Sequence, residues 1–585
     1  MKNLFIFLFL SIAFNQLALS LEDDIVFKAM SDELDRNMLE LGIEGLEKPY
    51  YIEYRIDRTD YLHIKYSLGS KLVQTAQTNT VINPKVRVGD YQFDNTNFFD
   101  INLSFFGSTD NEERYKNRTV PNELTYDNIR RNFWLATDVA YKHAAEAYSK
   151  KVSTLKNKAK QDTLRDFIKT IPNQTYSNFS LNKIDTLKLE DVVKSASEVF
   201  MDYPNIFKSS VGTENIPITT YYLNTEGTRY KRLDSYTSIE IIAYSKDKSG
   251  EPVYNYGTIY ANTPSELPSK DSIVKYTRII ADELDAMINA DELEEPYSGP
   301  ILFTDAAAAE LLAQGLGYKF IAQRKSISEG GFGGNEPHSE LQNKIGARVV
   351  PENISIFNYA DKRTYNSSQI IGNYEIDDSG LKPQNVTIVE NGYLNNLLTG
   401  RTPTKRMGFS TASARGNGVH FGTLHLVNSN DSKKLNYSDL KQKMIELANK
   451  RSLPFSIVIK KILNQNIQYT SLYTAAQGDL KVSRGEGTYG NILAYKVFPD
   501  GTEELIQLTE LQNLGIRYYK EILFTGNNEY VYNFLANSVL NPYTTGAKQY
   551  VECSVITPDL LFEDCEIDVL NTEYDKPPIA PPPSF

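Results

Sequence analysis

The side chains best suited to catalysis are few in this chain of 585 residues, which contains five histidines and two cysteines. The histidines are His63, His143, His338, His420 and His425, and no HExxH or HExxxH motif is present. His420 and His425 lie on opposite faces of a strand, or about 140° apart on a helix, so a shared metal would need a bulge or a loop. Each therefore reads first as a surface or hydrogen-bonded residue. His338, His420 and His425, helped by Asp or Glu, are the fallback metal candidates. Acidic residues number 74, and spacing alone nominates no acid/base pair among them.

Other motifs have structural explanations. Gly485, Gly487 and Gly490 match GxGxxG, but residues 491–498 (NILAYKVF) alternate as a strand. A dinucleotide fingerprint needs a helix N-terminus there, so these glycines read as a turn between strands. The glycine cluster at 330–334 has no following Lys-Ser or Lys-Thr and reads as a loop. GxSxG is absent. SxxK occurs at Ser272–Lys275 and Ser438–Lys441, where each serine opens an expected helix and capping accounts for it.

The elements that must position these residues alternate between two periods. Apolar residues at helical spacing predict helices over 24–41, 128–160, 271–290, 305–316 and 438–450. The 128–160 helix carries the single tryptophan, Trp134, and a basic end (Lys150, Lys151, Lys156, Lys158, Lys160) expected to be a solvated face. Ser269 or Asp271 is placed to cap the 271–290 helix. Alternating β-branched and aromatic residues predict strands at 50–55, 61–67, 85–93, 216–223, 230–244, 252–261 and 301–303. The Pro/Gly-containing stretch 294–300 marks the main domain boundary. Beyond it the chain is mostly β, punctuated by turns at Ser379-Gly380, Asn391-Gly392 and Asp500-Gly501. The expectation is an α+β protein: a mixed α/β N-terminal part at 21–295, a β-rich C-terminal part at 296–570, and a proline-rich tail at 571–585.

A composition 41% hydrophobic and 23% charged is that of a soluble globular chain, and a net charge of −12 argues against nucleic acid or anionic lipid as partners. Residues 1–20 combine Lys2, an apolar run over 4–14 and Ala18-Leu19-Ser20, the pattern of a secretory signal peptide cleaved after Ser20. The expected location is the periplasm or cell exterior, with no membrane span once the signal is removed.

Several segments of the C-terminal half resemble the TldD/TldE (PmbA) family of metallopeptidases. They are Gly299-Pro300-Ile301-Leu302-Phe303 with the following 306–312, Asp377-Asp378-Ser379-Gly380 with 386–394, residues 402–408 with 410–417 (STASARGN), and 554–564 (SVITPDLLFED). Val86–Tyr91 and Asp94-Asn95-Thr96 resemble the N-terminal domain of exported bacterial members. The resemblance implies the two-part fold and peptide processing. Catalytic members carry HExxxH and a later cysteine around zinc. Laid on this chain, the motif falls on Thr304, Asp305 and Ala309, and neither Thr nor Ala can replace an imidazole. Asp305 reads as a helix N-cap. Cys553 and Cys565 read as buried thiols or an isolated disulfide, because the family's cysteine falls near 543–546. The resemblance therefore implies a TldE-like, non-catalytic member that pairs with a TldD-like catalytic subunit or self-associates around a peptide substrate, with zinc only in the partner. An active metallopeptidase with unconventional ligands, and a stand-alone peptide- or glycan-binding protein, are the alternatives.

Overall fold

The computed structural model describes residues 24–99, 119–156, 163–176, 184–248, 250, 252–322, 324, 326–328, 340–416, 418–462, 488–507, 509–512, 515–537 and 550–569. Residues 1–20, the 330–334 glycines, His338, Gly485, Gly487, residues 543–546 and the 571–585 tail lie outside them.

Helix α1 (Ile25–Glu40) begins at Asp24, whose carboxylate accepts the Val26 N–H at 3.0 Å and so satisfies one of the donors a helix start leaves unpaired. Strands β1 (Pro49–Ser67) and β2 (Ser70–Val88) form one long hairpin where three shorter strands are expected. Leu68 and Gly69 at its tip both have positive φ, which tight hairpin turns require.

Alternation along β1 sorts its side chains onto two faces. Ile52, Tyr54 and Ile56 pack with α1 and with α2 (Tyr126–Lys156), and Leu62, Ile64 and Tyr66 pack further along with α3 (Thr186–Glu198). The opposite face carries Tyr51, Glu53, Arg55 and Asp57, and it receives the C-terminal half of the chain.

Lys151 is not part of a solvated basic end. Two helical turns after the buried Ala144, it falls on the core face of α2 and is 0% exposed. Its ammonium meets the Asp166 carboxylate at 2.6 Å and donates to the carbonyls of Asp94 and Thr96. A partner 15 residues away in sequence leaves no mark on helical periodicity.

Strands β3 (Lys208–Asn224), β4 (Arg229–Lys246) and β5 (Pro252–Ala261) extend the first sheet in the order β2-β1-β3-β4-β5, and two short strands bring it to seven. Helix α4 (Lys270–Asn289) packs on β5 and is capped by Ser269, whose hydroxyl accepts the Ser272 N–H at 3.2 Å.

The second sheet has thirteen strands and starts with β6 (Asp291–Glu292), just ahead of the sequence boundary at 294–300. At its centre, β7 (Tyr297–Phe303) lies antiparallel to the long C-terminal strand and parallel to the strand at Ser456–Ile462. The chain continues through α5 (Asp305–Leu312), β8 (Ile354–Tyr359), β9 (Val386–Glu390), β10 (Thr423–Asn428), α6 (Tyr437–Lys450), β11 (Ser456–Ile462), β12 (Thr488–Val497), β13 (Glu503–Gln507), β14 (Ile522–Asn537) and β15 (Tyr550–Val569). Ile301 and Phe303 join the main core beside α5, while Leu302 meets Leu440 and Met444 of α6 on the other face. Asn436, rather than Ser438, caps α6 by accepting the Asp439 N–H at 2.9 Å. The architecture is the two-part α+β arrangement expected from the sequence.

Candidate functional site

The turn from β7 into α5 holds the three positions to which the zinc motif was assigned. Thr304 is the extended residue before the helix, and its hydroxyl donates to the Ile459 carbonyl at 3.4 Å. Asp305 is not the cap. It is the first helical residue, at φ +41°, and its N–H donates to Asp559 Oδ1 at 2.9 Å. Burial raises the Asp305 carboxyl above the usual range, against the opposing pull of Lys460. Burial likewise raises Asp559 to about 6; the Asp305 N–H opposes that rise and the Asp305 charge adds to it. Ala309 is fully buried in the main core. These three positions supply no imidazole, and their surroundings are a strand, a carboxyl pair and an apolar core.

His420 and His425 are both buried but serve separate clusters. His420 Nδ1 lies 3.2 Å from Cys553 Sγ, with the Tyr318 ring edge-on at 5.5 Å. A thiol beside an imidazole has the geometry of a nucleophilic pair, but catalysis needs the thiolate. Here burial pushes the Cys553 thiol up to about 12 and His420 down to about 3, with the Arg415 guanidinium lowering His420 further. Both groups are therefore neutral. Arg415 donates to the carbonyls of Phe421 and Glu552 at 2.7 Å each, and its fixed positive charge opposes a divalent cation at this spot. The sulfur donates to the Phe421 carbonyl at 3.3 Å.

Cys553 and Cys565 are free buried thiols, which settles the alternative of a disulfide between them. Neither is expected to react with a thiol reagent in the native state. Two thiols should titrate only after denaturant is added; rapid labelling of the native protein would contradict this.

His425 lies on β10, with Nε2 3.3 Å from Glu529 Oε2, and the Tyr365 hydroxyl donates to the same carboxylate. The Lys362 ammonium covers the rings of Tyr359 and Tyr365 at 4.1 and 4.8 Å. Among the described residues, no three His, Cys, Asp or Glu side chains come together to hold a metal. Among the described residues, the donors around His420 and His425 do not compose a zinc site.

A cavity of about 190 Å³ lies where β5 and α4 of the first part face α5, β11 and β14 of the second. Its wall includes Tyr256, Tyr260, Tyr276, Tyr530 and Tyr532, with Glu310 one helical turn after Ala306. Glu310 is 1% exposed and accepts the Tyr532 hydroxyl. The Tyr256 hydroxyl donates to the Ile462 carbonyl at 3.3 Å. At the edge, the Lys461 ammonium is paired with Glu283 at 2.6 Å. Spacing did not nominate Glu310, although a carboxylate flanked by AAAA and LL in DAAAAELL, on the buried side of a helix, was the available signal.

The fold and the domain carrying these residues define a class: residues 297–488 match the family model of the PmbA/TldA metallopeptidase C-terminal domain. No curated protein matches the sequence. Three solved structures share the fold. A candidate DNA gyrase modulator from Thermotoga maritima MSB8 matches at 13% identity and TM-score 0.55, covering 92% of this chain and 100% of its own. TldE from Thermococcus kodakarensis matches at 11% and 0.53, with coverage of 92% and 100%. A candidate DNA gyrase modulator from Bacteroides thetaiotaomicron VPI-5482 matches at 11% and 0.53, with coverage of 94% and 100%. Residues 297–488 carry the C-terminal domain of the PmbA/TldA metallopeptidase family, and the chain as a whole has the fold of these three structures.

Proposed function

We propose that this chain is an exported, TldE-like member of the family that does not itself cleave peptides, and that it shapes a substrate cavity together with a TldD-like zinc peptidase partner. The observation that carries the reading is the helix after the first strand of the C-terminal part, which runs Asp305-Ala306-Ala307-Ala308-Ala309-Glu310 without an imidazole. A second placement of the six-residue zinc spacing gives the same answer. Ala313 to Tyr318 is the window whose last ring faces His420 and, through it, the Cys553 thiol. Its end positions are Ala313 and Tyr318, so it lacks both imidazoles as well. Zinc lowers the pKa of its bound water and polarises a carbonyl; without ligands to hold it, that chemistry must come from another chain.

No helix among the described residues is long and apolar enough to cross a membrane, which is compatible with export. The test is metal content by mass spectrometry on residues 21–585 purified without a chelating tag, together with a peptide-cleavage assay. The expected result is below about a tenth of an equivalent of zinc, iron or manganese, with no cleavage by the chain alone. Near one equivalent, with chelator-sensitive cleavage, would overturn the proposal. Pull-down from the periplasmic fraction is expected to recover a relative that carries HExxxH.

A further inference from the structure

The geometry points to the tyrosine-walled cavity at the junction of the two parts as a binding site for a primary ammonium group carried by a peptide, held by the Glu310 carboxyl and the surrounding ring faces. The peptide scaffold of this ligand rests on the family reading above; the ammonium rests on the cavity alone.

The size of the cavity limits its occupant. At about 190 Å³ it is smaller than a site for a drug-sized molecule and suits a single amino-acid side chain or terminal residue. Its chemistry selects the charge. Tyrosine rings present negative faces, which attract ammonium groups most strongly where water is excluded. Tyr256, Tyr260 and Tyr532 are each more than nine-tenths buried, while Tyr530, 39% exposed, stands at the wet end. Glu310 adds a buried carboxyl group to the same wall, where it accepts the Tyr532 hydroxyl, and each carboxylate oxygen can accept more than one hydrogen bond. The cationic lining residue, Lys461, is turned to Glu283 and Asn255, so it does not neutralise Glu310 or offer itself to an anion.

The cavity floor is also held in place. Gly257 lies on β5 under α4, where a Cβ would come within 2.8 Å of Ile280 and Tyr276. The backbone therefore approaches Tyr276 more closely than any other residue would allow. The wall draws on both parts of the chain.

The test is calorimetric titration of the mature protein, residues 21–585, with four probes. These are N-acetyl-Ala-Lys-Ala-amide, its norleucine isostere, Ala-Ala-Ala-amide with a free amino terminus, and n-hexylammonium. The lysine peptide or the free-amine peptide is expected to bind at least about tenfold more tightly than the norleucine peptide, and the tighter of the two identifies the source of the ammonium. Glu310→Gln, which keeps the hydrogen bond from Tyr532, is expected to lose about tenfold in affinity. If that variant fails to fold, Tyr530→Leu at the exposed end serves instead and is expected to weaken the amine selectively. Binding of neither the lysine peptide nor the free-amine peptide more tightly than the norleucine peptide, no binding of either amine peptide or hexylammonium, or unchanged affinity in the folded variant would overturn the proposal. Binding of hexylammonium without any preference for the peptides would uphold the ammonium site and count against the peptide reading. Metal content tests the non-catalytic assignment independently of all these outcomes.

Discussion

Replacing Arg401 by alanine is expected to cost about 3–5 kcal/mol, because it breaks a buried ion pair and leaves the partner carboxylate inside the protein. Arg401 reaches from the C-terminal part into the first sheet. Its Nη2 donates to Glu226 Oε1 at 2.7 Å and to the Ile168 carbonyl at 2.7 Å, and its Nη1 donates to the Tyr51 hydroxyl at 3.3 Å. The guanidinium lies 3.8 Å from the centre of the Phe167 ring. The two ionised side chains are only 2% and 4% exposed, so salt screens the pair little. Arg401→Lys keeps the charge but cannot reproduce the fork and the stacking, and should recover less than half of the loss. Urea denaturation followed by Trp134 fluorescence measures both variants. A midpoint for Arg401→Ala within error of the parent protein would show that the bridge contributes nothing.

Asp378→Ala is the second large effect, at about 3 kcal/mol. The Asp377-Asp378-Ser379-Gly380 stretch carries part of the family resemblance, and the structure gives Asp377, Asp378 and Gly380 each a physical task. Asp377 turns the chain by accepting the N–H groups of Ser379 and Leu381, both at 2.9 Å. Gly380 has φ +79°, and a Cβ there would lie 2.4 Å from Thr228. Asp378 then projects onto the polar face of β1, pairing with Arg55 at 3.1 Å and with Arg232, and it also accepts the Gly416 N–H at 2.7 Å. Removing it leaves two guanidinium groups at 11% and 12% exposure with only Asp57 and Asp234 as carboxylate partners. The expected signature differs from a simple loss of core. The two parts should loosen at their junction, so limited proteolysis should cut near 294–296 sooner than in the parent while Trp134 fluorescence changes little. Unchanged proteolysis and stability would remove the bridging role.

Much of the molecule was legible in the sequence for local reasons. Helix periodicity located α1, α4 and α6 to within about two residues, and Ser269 was identified as a cap from its type and place. The strand after the GxGxxG match was visible because NILAYKVF alternates, which was enough to reject a dinucleotide site. The absence of an imidazole at Thr304 and Ala309 was equally a matter of residue type.

What the sequence left undecided were the identities of neighbours. Period-two alternation shows that Tyr51, Glu53, Arg55 and Asp57 share a face of β1, but whether water or Asp378 and Arg401 cover that face depends on a domain more than 300 residues later. Lys151 reads as solvated until Asp166 is placed beside it, and Asp305 reads as a cap until β7 is seen to leave Thr304 in the extended position. His420 and Cys553, 133 residues apart, become a neutral pair only because β10 and β15 run side by side and Arg415 stands beside them. Glu310 acquires its role in the same way: its type was fixed in α5, but the tyrosines that face it arrive from β5, α4 and β14. Residue chemistry and short-range periodicity are properties of the chain itself, whereas burial, ionisation and the cavity arise from contacts between distant segments, and those exist only once the two sheets have met.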